Sequence, residues 1–443
     1  MLLFRHLLEK RGIRTPEDVL PLYREAAKQL DSKTAEPAAK TVEGWFYYGR
    51  RPQRAFREVI VAMLGRSIDQ LWSEVPEGTD PDFAPLTDVS PTAPHADAGA
   101  DLSEMRRTGS MAVQRARQFL LGKDQGAVGE ETLGLLDDEV ERLVAAYPRE
   151  PLSVIWDDLL VVQEQVFRLL EGGRVKQLSH LRDLNFKASI LSFLVAKGFN
   201  DMQAPYDAMT MTRVAASCAK TCEHQGLIAL TDGLKSLIAY WADKPADAYH
   251  YARQGSANAA NLGGTVGLWL LGLEARAAAL LGDEETVLRA NREADRRRET
   301  VVYDDLDRLG GLFSYAFEKQ QYYAVEAEVH LGRGTADLIA RAAGAVEGFS
   351  DPNVEAWAFG DLAGSQCNLA LVRLASGDVE GTADAISPVL GLQPGFRNKG
   401  IIVSALRVRQ ALVSGPGRSG TVGRALSEEI EAFPGSRTAL PRG

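Results

Sequence analysis

The sequence predicts an all-α protein in which a small basic N-terminal helical domain is joined by an acidic, proline-rich linker to a long body of helical repeats. Three observations predict it. Apolar residues recur at helical spacing, as in Leu133, Leu136, Val140, Leu143 and Val144 or Leu159, Val162, Val166 and Leu169, while strand alternation is nearly absent. Charge is divided unevenly: residues 1–73 hold 13 Lys/Arg and 9 Asp/Glu, a net of +4, so the rest of a chain of net charge −10 carries −14. Similar pairs of helices also return at intervals of 40 to 50 residues along the body.

A chain of 443 residues exceeds one hydrophobic core, so two or three units are expected. The first, residues 1–73, reads as five short helices. FRHLLEKRG is amphipathic, and TPEDVLPLYREAAKQL opens with Thr15 as N-cap and Pro16 at the first helical position. AAKTVEGWFYYG follows and ends at Gly49; Pro52 restarts the chain, and RAFREVIVAMLG and SIDQLW complete the unit. Residues 74–103 contain five prolines, seven acidic residues and no Lys or Arg, a composition that cannot bury enough apolar surface to offset its ordering entropy. They are expected to form a disordered tether, with the repeat body at 104–432 and a tail at 433–443.

Within the body an Ala-rich apolar helix ends in a small-residue turn and a more polar helix follows. SLIAYWADKPADAYHYARQG, ARAAALLGDEETVLRANREA, AEVHLGRGTADLIARAAGAV and ALVRLASGDVEGTADAISPV share this plan. Gly282-Asp283 and Gly377-Asp378 are matching turns, Gly supplying a helix C-cap and Asp capping the next helix. On these turns and the small residues Ala277, Ala278 and Ala370, residues 190–432 resemble tetratricopeptide repeats. Turns at Ala242, Gly282, Gly332 and Gly377 lie 40, 50 and 45 residues apart instead of about 34, so lengthened helices and a tetratricopeptide-like α-solenoid are expected.

In the head, Thr41-Val42-x-x-Trp45, then Gly49, Pro52 and Leu64-Gly65 ahead of Ser67 and Leu71, resemble the lambda-repressor-like helix-turn-helix family. The resemblance implies that the helix containing Thr41 is the recognition helix, with Val42 and Trp45 on its buried side. It turns Ala39, Lys40, Glu43 and Gly44 toward base edges and places Arg50, Arg51, Arg54 and Arg57 where phosphates pass. Thr41 and Tyr48 complete the expected DNA-binding set. The sequence departs from the family pattern in three ways: about 10 extra residues between Thr15 and Trp45, from an extended second helix or an insertion around Asp31–Glu36; Phe46 in place of an acidic residue; and Glu43, which repels phosphate unless it accepts from a cytosine. The whole layout resembles actinobacterial XRE-type regulators with a C-terminal tetratricopeptide-like domain. It is similar in plan to Gram-positive peptide-pheromone receptors, which implies a homodimer on double-stranded DNA, with a peptide, small molecule or partner protein as effector.

Other chemistries lack their parts. No G-x-x-x-x-G-K-[ST], G-x-S-x-G or H-E-x-x-H occurs, so no catalytic residue is assigned and an enzyme is not expected. Cys218, Cys222 and His224 lack a second ligand pair and read as core thiols; Asp304, Asp305 and Asp307 lack the glycine and closing Glu of a calcium loop and read as a solvated turn. No metal or cofactor is therefore expected. The start of the chain lacks a signal-peptide pattern, and the most apolar stretch, GTVGLWLLGLEARAAALLG, is cut by Glu274 and Arg276, so a cytoplasmic protein with no membrane partner is expected. Tyr240, Trp241, Tyr249 and Tyr251 form one aromatic group and Phe317, Tyr322 and Tyr323 another, with amides beside them. From these, Asn258, Asn261, Gln320 and Tyr323 are the candidate ligand contacts on a concave repeat surface. The alternative reading is a repeat scaffold that binds no DNA and sequesters a partner protein.

Overall fold

The computed structural model describes residues 2–10, 13–29, 36–64, 68–72, 128–173, 175–415 and 420–436. Their regular elements are all helices, and the chain divides into two units, Met1–Ser103 and Glu104–Gly443. The expected linker, residues 104–127, Gly65, Ser67 and most of the expected insertion and tail lie outside the described residues.

In the first unit the helices are α1 (Leu3–Lys10), α2 (Pro16–Gln29), α3 (Ala39–Phe46), α4 (Arg54–Leu64) and α5 (Ile68–Leu71). Val42 and Trp45, three residues apart, share the buried side of α3 with Phe46 and join Val19, Tyr23, Ile60 and Leu64 in one core. The Trp45 ring packs on Phe56 at 5.5 Å between centroids. Trp72 closes the unit: it stacks on Phe4 at 4.6 Å, and its indole N–H donates to the carbonyls of Gly49 and Arg50, both at 3.1 Å. Gly49 itself stands at φ +62°, the left-handed turn that ends α3.

The second unit is a row of helix pairs: α6 (Glu130–Ala146) with α7 (Leu152–Glu171), α8 (Leu178–Asp201) with α9 (Pro205–Thr221), and α10 (Gln225–Trp241) with α11 (Pro245–Asn258). Then come α12 (Val266–Leu280) with α13 (Glu284–Arg298), a short α14 (Asp305–Leu309), α15 (Phe317–His330) with α16 (Ala336–Gly348), and α17 (Phe359–Ala375) with α18 (Val379–Leu390). The last pair is α19 (Lys399–Ser414) with α20 (Thr421–Ala432). The turns share one device. A residue at positive φ follows the first helix of each of five pairs from α8 to α18 and also separates α9 from α10: Gln203, Glu223, Asp243, Gly282, Gly332 and Gly377. In five of these turns the next N–H donates back to a carbonyl five residues earlier, as from Asp283 to Ala278 (3.0 Å) and Asp378 to Arg373 (2.9 Å). Asp283 and Asp378 then cap the following helices through the N–H groups of Thr286 and Gly381.

The two helices of a pair differ as their sequences do. Second helices bury a narrow stripe of mostly small residues, such as Ala208, Thr212, Ala215 and Ala219 on α9 or Val287, Ala290 and Ala294 on α13. Among the first helices α10 and α12 are buried nearly all round; α12 hides every residue from Leu268 to Ala279. First helices also pack on one another in succession, α8 on α10, α10 on α12, α12 on α15, α15 on α17 and α17 on α19, and α19 returns to α8. The six form a closed inner ring. Close approach within it needs a missing side chain: a Cβ on Gly233 of α10 would lie 2.3 Å from the Trp269 ring of α12.

Two expectations are corrected. The Asp304–Asp307 run is not a solvated turn: Asp304 and Asp307 form a capping box at the start of α14, and Asp307 is buried, accepting from the backbone N–H of Thr265 (3.1 Å) and from its hydroxyl. Packing also continues past residue 432, because Phe433 is buried beneath the Arg397 guanidinium, 4.5 Å from its ring centre. Cys218 and Cys222 are half-buried against the core, and His224 caps α10 and reaches Asp305 at 2.9 Å; no group of metal-ligating residues occurs among the described residues. No helix among them is long and apolar enough to cross a membrane.

Candidate functional site

The expected DNA-binding residues fall on and around α3. Ala39 and Lys40 are exposed at its start, and Thr41 and Glu43 are half-buried on the next turn. Tyr48 is 73% exposed, and Arg50 reaches over its ring at 5.9 Å. Arg51 is exposed, as is Arg57, whose Nε donates to the Pro52 carbonyl at 3.0 Å. Arg54 begins α4, but its side chain lies outside the described residues. Gly44 departs from expectation: it is buried, with the Arg50 stem 3.4 Å from where its Cβ would stand, because α3 turns this position toward the following loop. Arg5 of α1 is a cation the sequence reasoning missed. It lies over Phe46 (5.3 Å) and Tyr47 (5.9 Å), beside the end of α3.

In the second unit the inner ring surrounds a half-open cavity of about 120 Å³ to which all six inner helices contribute. Trp269, Phe193, Leu234 and Phe359 supply apolar walls, and Lys197, Asp201, Arg276, Lys319 and Asp361 supply charge. Two of these cations are neutralised locally, Lys197 by Asp201 (2.6 Å) and Lys319 by Asp361 (3.1 Å). Burial lowers the affinity of Lys319 for its proton, yet Asp361 outweighs this and its pKa is raised. Asp201 also accepts from the Tyr147 hydroxyl at 3.0 Å.

Arg276 is the centre of the polar wall. Its side chain is 1% exposed and lies between two tyrosine rings, with Tyr240 at 4.2 Å and Tyr323 at 4.1 Å from the guanidinium carbon. Its Nε is 2.8 Å from Oε2 of the equally buried Glu326. Behind this pair, the Tyr240 hydroxyl donates to Glu326 Oε1 (2.9 Å), accepts from Arg407 Nη1 (2.9 Å) and lies 2.6 Å from His330 Nε2. Burial pushes Tyr240 up to about 12 and holds His330 below its ordinary value. Burial also works against Glu326 as an anion, but the Arg276 charge, with His330 and Arg407, drives its pKa far below the usual carboxylate range.

Of the four candidate ligand contacts only Tyr323 lines the cavity. Gln320 is buried and engaged on both sides, donating to Asp295 (2.8 Å) and accepting from Arg298 (2.8 Å), so it holds α13 to α15. Asn258 is exposed at the end of α11 and donates to Asp232 at 2.8 Å; Asn261 is exposed in the loop beyond. Neither asparagine lines the cavity. Arg276 was visible as a charge inside an apolar helix, and that was the signal for the site. No protein family, curated protein or solved structure matches the chain.

Proposed function

We propose that this protein is a DNA-binding transcriptional regulator: a helix-turn-helix head reads double-stranded DNA, and a tetratricopeptide-like body senses an effector. The carrying observation is the charge division, +4 on residues 1–73 against −14 elsewhere, with Lys40, Arg50, Arg51 and Arg57 exposed around the start and end of one short helix. A major-groove helix needs small or polar residues outward at its start and cations beside the phosphates, and Ala39, Lys40 and this arginine group supply both. Val42 and Trp45 belong to the core that fixes the helix.

The effector reading draws on the half-open cavity within the inner ring. Its closure by α19 on α8 favours a small molecule over an extended peptide. Two heads on two half-sites make a homodimer the working form. Selection of bound fragments from a genomic DNA pool by the full-length protein tests the proposal. Enrichment of a sequence with two related half-sites supports it. Recovery of no DNA, with a protein partner retained instead, replaces it by the sequestering scaffold.

A further inference from the structure

We propose that the cavity of the body takes a small amphipathic carboxylate, its charged end at Arg276 and Tyr315 and its apolar end against Trp269, Phe193 and Leu234. This rests on the reading of the body as a sensor and adds the chemistry of what it senses.

Three polar atoms on residues that line the cavity are buried without a hydrogen-bond partner: Nε and Nη1 of Arg276 and the hydroxyl of Tyr315, on residues 1% and 3% exposed; Nε faces the Glu326 carboxylate at 2.8 Å, which leaves Nη1 and the Tyr315 hydroxyl. Both are donors. They are also neighbours, because the Tyr315 hydroxyl lies against Gly272, 2.5 Å from where its Cβ would stand, and Arg276 follows one helical turn later on the same face of α12. The Tyr323 ring bridges them, 5.6 Å from the Tyr315 ring and 4.1 Å from the Arg276 guanidinium carbon. A buried donor left unpaired is costly, so a structure that keeps two on neighbouring residues lining one cavity is arranged for an acceptor to arrive. A carboxylate offers two acceptor oxygens and a charge matched to a guanidinium.

The acidic groups of the wall favour no cation in its place. Asp201 is occupied by Lys197 and Tyr147, and Asp361 by Lys319. Each of the three lining cations has a carboxylate, Lys197 and Lys319 these two and Arg276 the Glu326 behind it, and Arg407, 3.6 Å from Glu326, adds a further positive charge to the Arg276 cluster. The remaining surface is aromatic and aliphatic. A volume of about 120 Å³ is close to the apolar cavity, on the order of 150 Å³, that takes one benzene ring, so one ring or a short chain fits beside the charged end.

The test uses the full chain and three probes of one shape: 3-phenylpropionate, its amide and 3-phenylpropylamine. Binding is read by calorimetry and by the fluorescence of the lining residues Trp241 and Trp269. The acid binds, while the amide and the amine bind at least about tenfold more weakly, the difference of one charged hydrogen bond. Tyr315→Phe weakens the acid several-fold without changing amide binding. Arg276→Lys keeps a charge opposite Glu326 but removes Nη1, and weakens the acid about tenfold; far-UV circular dichroism confirms that each variant is folded. Equal binding of acid and amide, tighter binding of the amine, or no binding of the acid at millimolar concentration overturns the inference. Binding of the neutral or cationic probe alone leaves the sensor reading standing. If the acid binds and the affinity for DNA does not move, the carboxylate site stands and the sensor reading falls.

Discussion

Arg276→Met tests the buried network at its hinge. The substitution keeps an unbranched apolar side chain between the Tyr240 and Tyr323 rings but leaves Glu326, with its side chain 2% exposed, without the guanidinium 2.8 Å away. Removing one partner of a buried ion pair costs roughly 3–5 kcal/mol, because the remaining charge stays desolvated. Glu326 retains Arg407 at 3.6 Å and the Tyr240 hydroxyl at 2.9 Å, so the lower end applies, a loss of about 3 kcal/mol. Replacing Glu326 with Met as well removes the orphaned charge, and replacement of a whole buried pair by apolar residues is often neutral. The double variant therefore returns to within about 1 kcal/mol of the parent, a recovery of about 2–3 kcal/mol over the single variant. Urea unfolding followed by far-UV circular dichroism at neutral pH measures both. A single variant that loses less than about 1 kcal/mol, or a double variant no more stable than the single, would show that the pair does not hold the inner ring as described.

Three further outcomes follow from the same packing. Trp45→Ala costs roughly 3–5 kcal/mol and unfolds the N-terminal unit, read as loss of its cooperative transition in the isolated fragment 1–73; a folded fragment with an intact spectrum would take Trp45 out of the core. Gly233→Ala drives a methyl group into the Trp269 ring and lowers stability by about 1–3 kcal/mol, whereas Gly282→Ala meets no atom within 4 Å and is strained only through its positive φ, so thermal melts rank the first below the second. Acidification destabilises the body in two stages. His330 is held neutral by burial, so below about pH 6.5 the unfolded chain takes the proton first and stability falls as pH drops through the folded value. The depressed pKa of Glu326 contributes stability above about pH 4.5 that is lost on further acidification. His330→Gln should remove the first stage and keep the second; a single unchanged stage would contradict the assignment.

The all-helical class was legible because the apolar period is long and regular, and the turns at Gly282 and Gly377 because glycine marks a left-handed residue directly. Gln203, Glu223 and Asp243 take the same conformation without that mark, so the early pairs were harder to delimit than the late ones. The inner and outer layers were legible in outline, since an apolar helix alternates with one carrying only a small-residue stripe. Ring closure was not: the approach of α19 to α8 joins elements about 200 residues apart, which no local pattern encodes. Local pattern alone therefore points to an open concave surface, where the structure has a ring of inner helices. Gln320 and the asparagines offer amide chemistry, and Gln320 spends it on Asp295 and Arg298. The better signal was Glu274 and Arg276 in the most apolar stretch. Both are 1% exposed, and a charge buried in such a helix must have a dedicated partner: Arg253 and Arg289 for Glu274, Glu326 for Arg276.

On the proposed function the basic face of the head binds DNA phosphates, and the dependence of DNA affinity on salt is the direct measure of that contact. With the full-length protein and its selected fragment, the logarithm of affinity should fall linearly with the logarithm of salt concentration, by about 0.9 for each phosphate neutralised. Replacing Lys40, Arg50 and Arg51, all exposed around α3, with Ala should weaken binding on every sequence and flatten that slope by up to about three. An unchanged slope in the triple variant, or no salt-dependent DNA binding by the parent protein, would rule this phosphate face out.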